Sequence, residues 1–404
     1  MRWSIPFAGF FLSLMGGIAY AWGVFIVPLE QRFGWSRTEA ALPVSIYLLF
    51  YTVGMLTGGY LQDRYGPRKI ALAGAALFFS AYMLAQMVGT YPYLWWLLLT
   101  YGIMGGTASG LAYSVIVPAT RKWFPDKASL AMTIGVTGFG LASVFFAPWL
   151  SALIATRGIE GTFLVLAIVT GSVSLIAAMV LKNPEPGWSP PGWVQATQAA
   201  NSMFTPKMET PLGETIKQPL FYLLWVAFAA IIFGGLMAMT HVIPYGQTII
   251  GLDRADAAYA MVFFGLANGF GRTLAGFIAQ QVGPLRVMLV TYLVTGTTFL
   301  LFNTVATSNT TLYVCALILG FGFAVTLGLF PVLTSISFGV KNLGANYGAV
   351  ITAFGASAIF GPVAGGYLYD ISGTYIVPFT IAGGLTLFGW TICLFALKLK
   401  HKLP

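Results

Sequence analysis

Long apolar runs separated by short polar stretches recur along the whole chain, at about 6–28, 40–62, 69–88, 92–118, 130–155, 161–181, 219–245, 257–279, 285–305, 311–336, 345–369 and 375–397. An α-helix crosses a bilayer in about 20 mostly apolar residues. The pattern therefore predicts an all-α membrane protein with twelve transmembrane helices. One connection stands apart: residues 182–218 are long and polar, with prolines in Asn183–Trp193 that disfavour helix. Thr210–Lys217 has the pattern of a short amphipathic piece. This stretch predicts a division into a six-helix half at 1–181, a linker at 182–218 and a second six-helix half at 219–404. The first run continues to Pro28 without a small-residue cleavage site, so it reads as a transmembrane helix and not as a removed signal.

Composition sharpens this picture. Hydrophobic residues make up 58% of the chain and charged residues only 8%, against about 25% charged in soluble domains. That excludes a large soluble core. The net charge of +9 falls in the connections, where it sets orientation and does not point to nucleic acid. Fifteen Lys and Arg lie on the side of the termini and the even-numbered connections, among them Arg64, Arg68, Arg121, Lys207 and Lys341; Arg32, Arg37, Arg157 and Arg254 lie on the other. Both termini are thus expected in the cytoplasm, with the chain in the cell (inner) membrane. Cys315 and Cys393 lie in apolar runs and offer neither a disulfide nor a metal site. No cofactor motif appears: Gly102–Gly106 and Gly320–Gly322 lack a phosphate-loop lysine and read as helix packing or bending.

The halves echo each other. Gly59, Gly66 and Pro67 after the second run match Gly276, Gly283 and Pro284 after the eighth, 217 residues on. Phe124, Lys127, Ser143, Phe146 and Pro148 match Phe338, Lys341, Ser357, Phe360 and Pro362 at a spacing of 214. Two repeated halves with a site between them near the midplane form a transporter architecture.

Arg272 is the one Lys or Arg away from the ends of an apolar run, in the second half of Ala258–Gln280. A guanidinium there costs about 2.5–3.5 kcal/mol on the insertion scale, so it marks a functional site by default. Its planar fork suits a carboxylate. Asn268, four residues earlier, shares its helix face. Gly265, Gly269 and Gly276 let neighbouring helices approach.

The run Gly59-x-Leu61-x-Asp63-Arg64-x-Gly66-x-Arg68-Lys69 resembles the signature loop of the major facilitator superfamily. The resemblance covers the whole chain, and it implies a gating role for Gly59, Asp63, Arg64, Gly66 and Arg68 in favouring the outward-open state. Arg121–Lys127 running into Leu130-Ala131, together with Arg272, resembles bacterial proton-coupled monocarboxylate (lactate) transporters and also oxalate–formate antiporters. Animal members similar to it carry an aspartate where this chain has Asn268 and a lysine near Val24. The antiporters similar to it use a second cation in helix eleven, where Ala345–Tyr369 has none; Lys341 lies in the preceding connection.

The resemblance implies a substrate site lined by helices one and four, which hold Tyr20 and Tyr113. His241, beside Pro244, is a candidate substrate contact and proton relay; its alternative partner is a carbonyl loosened by that proline. Asp256 is a second relay candidate at the outer end of its helix. Leu141, Phe139, Phe330 and Phe354 are candidate apolar walls. The expected function is secondary active transport of a small organic monoanion, lactate- or pyruvate-like, with a proton, across the lipid bilayer and as a monomer. The alternative is anion exchange of the oxalate–formate type. A membrane sensor would need a signalling domain, and an intramembrane enzyme would need a His, Asp or Cys cluster; neither is in the sequence.

Overall fold

The computed structural model describes residues 2–124, 126–185, 188–190, 209–339 and 342–400. Lys207, Lys341 and His401 fall outside them, as does 191–208 of the linker. The described residues are helical, with no strand among them.

Ten segments are long and apolar enough to cross a membrane. One of them, Leu130–Val180, is two crossings. Its helix breaks at Gly158, where φ is 69° and the chain reverses. The return is visible in the contacts. Trp123, just before this segment, donates from its ring nitrogen to the carbonyl of Lys182, just after it, at 2.7 Å. The shorter apolar helix Pro284–Leu300 is the remaining crossing. The predicted twelve are therefore present as an all-α bundle.

The helices used below are α1 (Ser4–Gly16), α2 (Gly23–Phe33), α3 (Arg37–Tyr65), α4 (Pro67–Ala85), α5 (Leu94–Leu97), α6 (Gly106–Ser114), α7 (Ile116–Trp123), α8 (Ala128–Val180), α9 (Leu212–Thr215), α10 (Pro219–Tyr245), α11 (Arg254–Val282), α12 (Pro284–Leu300), α13 (Phe302–Val305), α14 (Asn309–Phe338), α15 (Leu343–Val350), α16 (Thr352–Ser372) and α17 (Ile376–Lys400). The short α9 falls within the stretch expected to be amphipathic. Two crossings are less regular than their apolar pattern suggests. The first is interrupted by a 3₁₀ turn at Gly17–Ala21, which holds Tyr20. The fourth opens into a π-helical turn at Leu98–Gly105. There the glycines permit a close approach: a Cβ on Gly106 would run into the backbone carbonyl oxygen of Tyr47 and lie 2.9 Å from its Cα.

The sequence repeat has a structural counterpart. Gly66 ends α3 at φ 84° and Gly283 ends α11 at φ 90°, a region open to glycine and strained for other residues. Each is followed by a proline that starts the next helix, where its missing N–H costs nothing.

Two seams join the halves: α3 against α16, and α8 against α11. Both are tight at the end opposite the termini and loosen toward the termini. On the first seam, a Cβ on Gly366 would lie 2.8 Å from the backbone of Arg37 and Thr38; a Cβ on Gly355 would reach Thr52 at 4.0 Å; one on Gly59 would meet nothing. On the second, Ser151 donates to the carbonyl of Arg254 at 3.1 Å. At mid-span a Cβ on Gly140 would lie 2.9 Å from Cα of Gly269, and one on Gly276 would meet nothing.

Candidate functional site

Arg272 lies on the α11 face that carries Asn268 one turn before it and Gly276 one turn after. Its Nη2 donates to Oδ1 of Asn268 at 3.3 Å. Asn268 is fully buried, while Arg272 is partly exposed. Two donors remain without a partner: Nε of Arg272 and Nδ2 of Asn268, both buried atoms. Among the described residues, no carboxylate forms an ion pair with Arg272. Unpartnered donors of this kind cost roughly 1–3 kcal/mol each and are what an incoming acceptor relieves.

Around the guanidinium stand tyrosines from both halves. Its charge acts directly on the hydroxyls of Tyr20 and Tyr113. It also reaches those of Tyr51 and Tyr347. Phe139 of α8 holds three of these rings in place, with centroid separations of 5.0 Å to Tyr20, 5.2 Å to Tyr51 and 5.6 Å to Tyr113. The site is therefore a cation in an aromatic cup, with hydroxyls facing inward. Tyr51 and Tyr347 escape a sequence reading because tyrosines are common in these runs, and their facing Arg272 is a property of the packed bundle.

The other candidates separate into two groups. Leu141 packs at the α8–α11 crossing, where its side chain fills the space a Cβ on Gly269 would need. Phe330 is fully buried against Phe228, centroids 4.7 Å apart, so it is a packing residue in this state. Phe354 is buried in α16. Asp256 stands in the first turn of α11, where Oδ1 of Asp253 accepts its backbone N–H at 2.7 Å, far along the helix from Arg272.

His241 is not beside Arg272. It lies fully buried at the end opposite the termini. Its Nε2 sits 2.8 Å from the carbonyl of Pro362, and its Nδ1 3.2 Å from the hydroxyl of Tyr375. The carbonyl it meets thus comes from α16, not from a loosening of α10 by Pro244. Arg37 joins the same cluster. It reads in sequence as a loop cation, yet only 3% of it is exposed. Its position at a helix start explains the misreading: Ser36 and Glu39 form a capping box that draws the first turn of α3 into the bundle.

The signature loop lies at the terminus end. Arg68 donates to the carbonyl of Leu181 at 3.1 Å, and the Arg64 guanidinium lies over the ring of Tyr65. Asp63 is exposed. Nearby, Arg2 holds Asp126 in a two-bond pair at 2.7 and 2.8 Å. That pairing holds the Asp126 carboxyl below its usual range.

The sequence matches the model of the Major Facilitator Superfamily over residues 7–278 and 242–404. It is 26% identical to the oxalate:formate antiporter of Oxalobacter formigenes, over 89% of this chain and 83% of that protein. It is 26% identical to monocarboxylate transporter 13 of Rattus norvegicus, over 96% of this chain and 87% of that protein. It is 27% identical to a probable nitrate/nitrite transporter, NarK2, of Mycobacterium tuberculosis, over 87% of this chain and 86% of that protein. With twelve crossings, an intramembrane arginine between two seams and matches that span nearly its full length, the chain is a multi-pass secondary transporter and belongs to the major facilitator superfamily.

Proposed function

We propose that this transporter moves a small monocarboxylate, lactate- or pyruvate-like, by alternating access, with a proton. The observation that carries the reading is the pair of buried, unpartnered donors on Arg272 and Asn268. A carboxylate offers two oxygens to the arginine fork, and an oxygen on the neighbouring carbon can take the Asn268 amide. The tyrosine hydroxyls supply further partners, and the rings supply an apolar wall for a short tail. In this reading the basic-residue asymmetry puts both termini in the cytoplasm, the seams rock about the Gly140–Gly269 crossing, and the chain works as a monomer of two halves, 1–181 and 219–404, joined by 182–218.

In the closed seam the end opposite the termini is then the outer gate, and the state described is inward-facing. Asp63 and Arg64 stand exposed at the loosened end, ready to re-form the signature-loop contacts when that end closes.

The proton supplies the driving force. An anion entering alone works against a negative-inside potential at about 2.3 kcal/mol per charge for each 100 mV. The route favoured here is a proton brought to Arg272 by the substrate itself, with Asp256 as an entry group at the outer end; His241 is bonded within the tight seam and hands no proton to Arg272 directly. Anion exchange is the second reading, supported by the similarity to an oxalate:formate antiporter. Uptake of labelled lactate into proteoliposomes separates them. Symport predicts accumulation driven by an acid-outside gradient with no internal anion. Uptake that requires a preloaded internal anion and ignores the gradient identifies the exchanger.

A further inference from the structure

The tight seam holds a polar cluster that the anion site does not use. Glu30 comes from α2, Arg37 and Thr38 from α3, His241 from α10, Tyr369 and Asp370 from α16, and Tyr375 precedes α17. It thus joins both halves of the molecule. Glu30 holds the Arg37 guanidinium through two contacts, Oε1 with Nε and Oε2 with Nη2, the latter at 2.8 Å. Asp370 reaches across to the start of α3, accepting the backbone N–H of Arg37 and of Thr38, each at 2.9 Å, and also the Thr38 hydroxyl. The Arg37 guanidinium lies 4.3 Å above the Tyr369 ring.

The bond directions around His241 fix its state. Nη1 of Arg37 lies 2.5 Å from the Tyr375 hydroxyl. A guanidinium only donates, so that oxygen accepts, and its hydrogen is left for Nδ1 of His241 at 3.2 Å. On the other side of the ring, the Pro362 carbonyl at 2.8 Å only accepts, so Nε2 carries a hydrogen. The neutral ring satisfies every donor. A proton on Nδ1 would strand the Tyr375 hydrogen and set an imidazolium facing Arg37.

We propose that His241 is a proton-binding site of the outer gate, kept neutral while Arg37 and Tyr375 are latched and protonated on Nδ1 once α3 leaves α16. The proposal rests on the reading of this seam as the outer gate and is independent of which anion Arg272 holds. The proton comes from water on the outer side. It returns there before the hydroxyl of Tyr375 can donate to Nδ1 again. Acid outside therefore holds the gate open. The charged and titratable groups that bear on the ring are Arg37 from the first half and Asp370 and Tyr375 from the second, with Glu30 and Tyr369 one contact further out, against Arg37. Free carboxylates titrate near about 4 and free imidazole near about 6.5, so across about pH 5.5–8 the exposed imidazole is the group that changes charge. Because only the open state takes the proton, the open-to-closed ratio rises up to about tenfold per unit of acidification below about pH 6.5.

The test is a spin-label distance between Gln31→Cys and Ile371→Cys, exposed positions on either side of the seam. It uses the full chain in lipid nanodiscs with Cys315→Ala and Cys393→Ala. The otherwise unchanged protein is expected to gain a longer-distance population, about tenfold between pH 8 and 5.5. His241→Gln keeps a donor for Pro362 and an acceptor for Tyr375 but does not titrate, and is expected to stay closed across that range. An unchanged acid response in His241→Gln, or no response in the parent chain, overturns the proposal. If His241→Gln fails to close at any pH, Tyr375→Phe decides. The response must persist with its midpoint moved to higher pH, because the competing hydroxyl is gone, and loss of the response overturns the proposal. Glu30→Gln and Asp370→Asn must keep the response; its loss in either would assign the proton to a carboxylate and overturn it. Gradient-driven uptake with a silent gate would sink this proposal alone, and an acid-opened gate without gradient-driven uptake would sink the symport reading alone.

Discussion

Arg272 uses one nitrogen on Asn268 and leaves Nε buried and unpartnered. Arg272→Ala removes the cation and is expected to abolish saturable carboxylate binding by calorimetry while the detergent-solubilised protein keeps its melting temperature. Arg272→Lys keeps the charge but loses the planar fork. One charge-assisted bond of about 1.5–3 kcal/mol is then lost, so affinity should fall about 10- to 100-fold. Normal binding by Arg272→Ala would place the site elsewhere. Arg272 stands out in sequence because a lone charge in an apolar run has no inexpensive explanation. Arg37 does not: at a helix start after a polar loop it looks like an ordinary surface cation, and its burial depends on Glu30 and Tyr375 contacts that only the packed bundle brings together.

At the scale of elements, α8 and α11 cross with glycine facing glycine at Gly140 and Gly269. One turn toward the termini from this crossing is Arg272, so the spacing of the two helices sets where the guanidinium stands. A methyl on Gly140 would sit 2.9 Å from Cα of Gly269, and backbone cannot yield as a side-chain tip can. Gly140→Ala is therefore expected to push the helices apart, lowering the melting temperature by a few degrees and slowing uptake much more than it weakens binding. Equal binding and uptake to the parent chain would show that the crossing is not the pivot. Helix number and rough bounds are legible from apolar runs because a crossing must be apolar for its whole length. The 3₁₀ turn at Gly17–Ala21 and the π turn at Leu98–Gly105 are not: both keep the same apolar composition, and the irregularity comes from what packs against them. Tyr20 owes its place in the cup to the first of these.

At the scale of the whole molecule, orientation follows from charge. An impermeant thiol reagent on intact cells is expected to label a cysteine placed at Ser36 and to spare one placed at Trp188. Equal labelling of both would remove the assignment of inside and outside.

The whole bundle also sets which anion it can carry. Among the described residues, Arg272 is the cation that the tyrosine cup surrounds, and α16 contributes no Lys or Arg to it. A monoanion bound there leaves the site neutral overall. A dianion leaves one charge uncompensated in a low-dielectric space, and a buried unpaired carboxylate is costly enough that it binds a proton or does not enter. At neutral pH, lactate and pyruvate should therefore compete with labelled lactate in proteoliposomes far better than oxalate does, by at least about tenfold in inhibitory concentration. Acidification should narrow that gap, because singly protonated oxalate carries the one charge the site can match. Oxalate that competes more tightly than lactate at neutral pH would mean that a second cation enters the cup during the cycle, and would turn the reading from symport of a monocarboxylate to exchange of a dianion.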